Sequence, residues 1–60
     1  MTGELPKDPA MLLSVVNTKL RDFYPSLDAL CADMGAEKDE ITEKLGMLDY
    51  VYDARQNRFV

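Results

Sequence analysis

Apolar residues recur at helical spacing along most of the chain, and the period changes only near its end. In "KDPAMLLSVVNTKLRDFYPSLDAL", residues 7–30, Leu12, Leu13, Val16, Leu20, Phe23 and Tyr24 supply one face of a helix with about 3.6 residues per turn. Asp8 stands where an N-cap is needed, and Pro9 suits the first turn, where its missing N–H costs nothing. Helix 1 is therefore predicted over residues 8–24, because Pro25 drives Tyr24 towards extended backbone. Ser26 is the next N-cap. Leu27, Leu30, Cys31 and Met34 follow it at i, i+3, i+4 and i+7, a single apolar stripe. Gly35 supplies the left-handed position that ends many helices. A third helix begins near Lys38, with Asp39 and Glu40 in a first turn that favours negative charge. Ile41, Leu45 and Leu48 form its buried stripe.

After Leu48 the pattern shortens. "YVYDARQNRFV", residues 50–60, has β-formers at both ends and a polar centre, which predicts a hairpin turning at Ala54–Asn57. Tyr50 and Tyr52 share one strand face and Val51 the other. The expected fold is mainly α, one small domain over residues 1–60. Its parts are a leader over 1–7, helix 1 over 8–24, a helix-turn-helix-like pair over 26–49 and a C-terminal β-hairpin over 50–60. The expected core is Leu13, Val16, Leu20, Leu30, Met34, Ile41, Leu45 and Leu48.

Size sharpens this picture. A chain of 60 residues buries only about 60% of its extended surface, so its stability is marginal. It carries one cysteine and no histidine, so neither an internal disulfide nor a Cys/His zinc site is available. Packing or self-association has to supply what those staples give other small domains. The start, "MTGELPKDPA", lacks a secretory pattern, and the longest apolar run, "AMLL", is far below a membrane span. A reducing cytoplasm is the expected compartment.

The stretch from Leu27 to Leu45 resembles a helix-turn-helix. Leu30, Cys31, Met34, Gly35, Ala36, Ile41 and Leu45 occupy the positions where that motif carries apolar, small and glycine residues. The hairpin behind them resembles the wing of a miniature winged helix. Such motifs place the second helix in the major groove of DNA. Here that helix and its approach carry Glu37, Asp39, Glu40 and Glu43 against Lys38 and Lys44. The net charge is −4, from 7 Lys and Arg against 11 Asp and Glu, and duplex DNA carries one negative charge per about 1.7 Å. Charge therefore opposes a nucleic-acid role. At whole-chain level "LPKDPAMLLSVVNTKLRDFY" with "YVYDARQNRFV" resembles a family of short bacterial proteins known only as a domain of unknown function. The segments "LPKDP" and "KLRD" carry that resemblance, which implies a stand-alone bacterial protein and no activity, ligand or catalytic residue.

Catalysis finds no machinery in the sequence. Cys31 lies on the apolar stripe between Asp28 and Asp33, with no histidine to activate it, so it is assigned to the core. Asp39, Glu40 and Glu43 read as a solvated helix face, since no loop converges oxygens for a metal. The aromatics Phe23, Tyr24, Tyr50, Tyr52 and Phe59 are assigned to closing a small core, because a stacking platform for single strands needs a basic groove. No cofactor, metal or small-molecule substrate is expected.

The expected function is a non-catalytic protein-interaction or self-associating module; the alternative is a winged-helix-like nucleic-acid-binding regulator. Helix 1 carries the candidate surface. Met11 and Val15 fall to the side of its apolar face, one turn apart and rimmed by Thr18, Lys19 and Asp22. Asn17 and Arg21 lie four apart on the polar face, beside Ser14 and Thr18. Met11, Val15, Asn17, Lys19 and Arg21 are thus the candidate partner-binding residues, and the partner is another protein or a second copy. One internal alternative exists: the hairpin, through Phe59 and Val60, folds over the Met11 and Val15 flank and buries it.

Overall fold

A computed structural model of the chain describes residues 5–60. They form three helices, α1 (Pro9–Asp22), α2 (Leu27–Met34) and α3 (Lys38–Gly46). Two short antiparallel strands follow, β1 (Tyr52–Asp53) and β2 (Arg58–Phe59), paired Tyr52 to Phe59 and Asp53 to Arg58. This is the mainly helical domain with a C-terminal hairpin that the periodicity predicts. Residues 1–4 of the expected leader lie outside the described residues; Leu5, just beyond them, packs against the core.

The helix boundaries follow from their caps. The Asp8 carboxylate accepts the Met11 N–H at 3.0 Å, and the Ser26 hydroxyl accepts the Ala29 N–H at 3.1 Å. Gly35, at φ 66°, turns the chain out of α2, and the Ala36 N–H reaches back to the Cys31 carbonyl at 3.0 Å. The start of α3 has no side-chain cap and relies on Asp39 and Glu40 against its dipole.

Leu12, Val16 and Leu20 of α1, Leu27, Leu30 and Cys31 of α2, and Ile41 and Leu45 of α3 form one buried cluster, which Phe59 of β2 completes. Each large apolar side chain fully buried there contributes about 1.5–3 kcal/mol. Five positions of the expected core or core face come out differently. Leu13, Tyr24 and Met34 are half-buried and pack against the cluster from its edge. Phe23 is 69% exposed: it is the C-cap residue of α1, where the backbone leaves helical geometry at φ −125°, and its ring lies against the Lys19 ammonium instead of the core. Leu48 is 39% exposed despite its helical spacing from Leu45 and Ile41. The reason is the way α3 stops. Asp49 adopts φ 65°, its N–H bonds the Gly46 carbonyl at 2.9 Å, and the Tyr50 N–H bonds the Leu45 carbonyl at 3.0 Å. That pair of bonds is a Schellman cap with aspartate where glycine is usual, and it leaves Leu48 beyond the packed turns.

The hairpin lies along α1 and is fastened by three polar side chains. Asn17 accepts the Phe59 N–H at 2.8 Å and donates to the Phe59 carbonyl at 3.2 Å, so its amide pairs with β2 as another strand would. Asn57, at φ 56°, donates to the carbonyls of Leu20 at 3.0 Å and Tyr24 at 2.9 Å. The Tyr52 hydroxyl donates to Asn57 Oδ1 at 2.7 Å and accepts the Leu27 N–H at 3.2 Å. Asn57 and Tyr52 together satisfy carbonyls at the end of α1 and an N–H at the start of α2, groups that helix ends leave without partners. The Tyr52 and Phe59 rings, 5.5 Å apart and tilted by 53°, seal the inner side of the hairpin.

Candidate functional site

The five residues singled out on helix 1 separate into three settings. Met11 is 61% exposed and Val15 is half-buried, on one flank of α1. Lys19 continues that flank and places its ammonium 5.7 Å from the centre of the Phe23 ring, a cation–π contact one turn away. Asn17 is committed to the backbone of Phe59. At about 100° per residue, Val15 and Asn17 stand on nearly opposite sides of the helix. The hairpin held by Asn17 is therefore on the side away from Val15 and does not cover it. Arg21 is exposed and pairs with its neighbour Asp22 through Nε at 2.9 Å and a terminal nitrogen at 3.0 Å. The pairing raises the Arg21 pKa and lowers that of Asp22.

Where Asn17 and Arg21 face the hairpin, the chain forms a polar groove of about 480 Å³. Thr18 and Arg21 on α1 oppose Gln56 and Arg58 of the hairpin across it. A second hollow, of about 320 Å³, lies between Leu5–Lys7 and the turn joining α2 to α3. Leu12, Met34 and Ile41 line it, and Glu37, Glu40 and Lys44 stand at its mouth.

A further run of exposed apolar residues lies in the segment that leaves α3 and at the open end of the hairpin. Met47 is 69% and Val51 66% exposed, and Leu48, Tyr50 and Val60 are exposed with them. Val51 and Val60 exchange two backbone bonds of 2.9 Å, so they are directly opposite one another and their side chains share a face. Sequence reasoning missed this surface, because Leu48 counted as core and the hairpin aromatics as its lid. Its signal was the alternation itself, which puts Val51 on the face opposite Tyr52.

The outer face of α3 is acidic. Lys38 pairs with Asp28 at 2.9 Å and Lys44 with Glu40 at 3.6 Å, so both lysines of the helix already have acidic partners. Glu37, Asp39, Glu40 and Glu43 are exposed. The described residues contain no group of three or more metal-ligating side chains. Cys31 is buried, and burial, then the charge of Asp28, pushes its thiol above the ordinary value. That shift disfavours the thiolate, and the side chain packs in the core as a small apolar group. No helix among the described residues is long and apolar enough to cross a membrane.

No curated protein and no solved structure matches this chain. Residues 6–59, nearly the whole sequence, match the family described as a domain of unknown function (DUF4250), and the chain belongs to that family.

Proposed function

We propose that the chain is a non-catalytic interaction module that associates with a second copy of itself or with another protein through exposed apolar surface. The observation that carries this reading is the cluster of Met47, Leu48, Tyr50, Val51 and Val60, exposed together around the base of the hairpin. Methionine and aromatic side chains are enriched at protein interfaces. A small domain with neither disulfide nor zinc gains most from burying such surface against a partner. Exposed Met11, with half-buried Val15 beside it on the flank of α1 away from the hairpin, offers a second, smaller contact of the same kind. The single, unpaired cysteine fits a reducing cytoplasmic setting, and the resemblance to short bacterial proteins supports a bacterial source.

The nucleic-acid alternative draws on the α2–α3 pair alone. The acidic outer face of α3, with its lysines already paired, argues against it. The test is sedimentation equilibrium of the wild type and of Val51→Asp. The wild type should self-associate, and the variant should be monomeric with an unchanged circular dichroism spectrum. A wild type that stays monomeric at millimolar concentration removes self-association. Submicromolar binding of duplex or single-stranded nucleic acid at physiological salt overturns the whole reading.

A further inference from the structure

The groove between α1 and the hairpin has a chemistry of its own, separate from the apolar surface. The amides on its floor are already engaged: Asn17 is bonded on both amide atoms to Phe59, and Asn57 to Leu20, Tyr24 and Tyr52. What remains free lies on the walls: the Thr18 hydroxyl, one terminal nitrogen of Arg21 and the guanidinium group of Arg58. Arg58 is the informative residue. Its cross-strand partner is Asp53, the ordinary counter-charge for it in an antiparallel pair. Asp53 instead turns to the hairpin loop and accepts the Arg55 N–H and the Gln56 side-chain amide, both at 2.9 Å. Arg58 consequently has no acidic partner among the described residues, in a chain whose net charge is −4. Arg21, facing it, is only partly neutralised by Asp22, which binds Nε and one terminal nitrogen and leaves the other terminal nitrogen free.

We infer that this groove is a recognition site for a carboxylate, an acidic side chain of a partner protein that bridges Arg21 and Arg58 with the Thr18 hydroxyl as a third donor. Guanidinium groups match carboxylates by paired N–H donors. The neighbouring carboxylates of Asp22 and Asp53 limit the positive field, which suits a single carboxylate and disfavours a nucleic-acid backbone. The site stands whether or not the apolar surface self-associates, since no residue is shared between them.

The test is a nitrogen-15 NMR titration of the full chain with a short capped oligoglutamate peptide, with the glutamine version of the peptide as control. The glutamate peptide should give saturable shifts at Thr18, Arg21, Gln56 and Arg58. Arg58→Gln should weaken binding about fivefold, the effect of losing one exposed charge-assisted contact, and Arg58→Lys less than that. Lys7→Gln, remote from the groove, should leave the affinity unchanged. The inference is overturned if the glutamine peptide binds as well. It is equally overturned if the shifts spread over Lys7, Lys38 and Lys44 alike, or if inorganic phosphate or single-stranded DNA binds the groove more tightly than the peptide.

Discussion

Where the three helices meet, the contact is made by leucines, isoleucine, valine and one thiol, with no buried polar group. Where the hairpin meets the helices, Phe59 is its one buried residue, the Tyr52 ring packs at the edge of the core, and the contact is otherwise made by the amides of Asn17 and Asn57 and the hydroxyl of Tyr52. The first kind of contact is non-directional and scales with area removed from water. The second depends on a few atoms at fixed angles, and truncating one side chain strands its partners without bonds. The same small domain thus has one junction that tolerates change by degrees and one that fails at single atoms.

The largest effects belong to the helical junction. Leu30→Ala or Leu45→Ala removes a fully buried side chain and should cost about 2–5 kcal/mol in urea denaturation. For a domain this small that is a large share of its total stability. Asn57→Ala should come next, at about 3 kcal/mol, because three hydrogen bonds are lost and alanine is strained at φ 56°. Asn57→Gly keeps the backbone conformation and should recover about 1 kcal/mol of that loss, separating the amide's part from the backbone's. If both variants unfold at the wild-type midpoint, the polar clasp contributes nothing. Asn17→Ala should cost about 1–2 kcal/mol, since it leaves the Phe59 N–H and carbonyl without partners.

Smaller effects sharpen the boundary between the two junctions. Leu48→Ala should cost about 1 kcal/mol, well below Leu45→Ala, since more than a third of the residue is already exposed. A loss comparable to that of Leu45→Ala would return Leu48 to the core. Acid should act on the hairpin loop. Hydrogen bonds from the Gln56 side chain and then the Arg55 N–H hold the Asp53 carboxyl below its ordinary value. A carboxyl whose folded pKa is depressed contributes stability above its unfolded pKa and loses it as pH falls through the folded one. Lowering the pH should therefore shift the Arg55 amide and Gln56 side-chain amide resonances with a midpoint below the usual carboxylate range. A midpoint inside that range would show that these bonds do not hold the Asp53 carboxyl.

The helices were legible because their signals are local and redundant. Asp8, Pro9, Ser26 and Gly35 mark ends by their own chemistry, and Val16, Leu20, Leu30, Ile41 and Leu45 repeat at helical spacing. The hairpin turn at Ala54–Asn57 was legible from the polar centre between β-formers. The clasp was not, because Asn17 acts across 42 residues of chain and Asn57 across 37 and 33, and both look in sequence like any surface amide. Asn17, assigned to partner recognition, binds the chain's own β2. Leu48 was misread because periodicity carries on past a cap set by Asp49, where no glycine announces the stop. The groove between Arg21 and Arg58 could not be foreseen either, since Asp53 sits opposite Arg58 in the ladder yet is drawn to the loop.

Native-state hydrogen exchange tests the division between the two junctions most directly. The amides of Val51 and Val60, bonded to one another across the hairpin, report its opening, and those of Leu30 and Leu45 report the helical core. The hairpin amides should open at a lower free energy than the core amides, through release of the clasp while the helices stay packed. Equal opening free energies at all four positions would contradict the account, showing hairpin and helices to be a single cooperative unit.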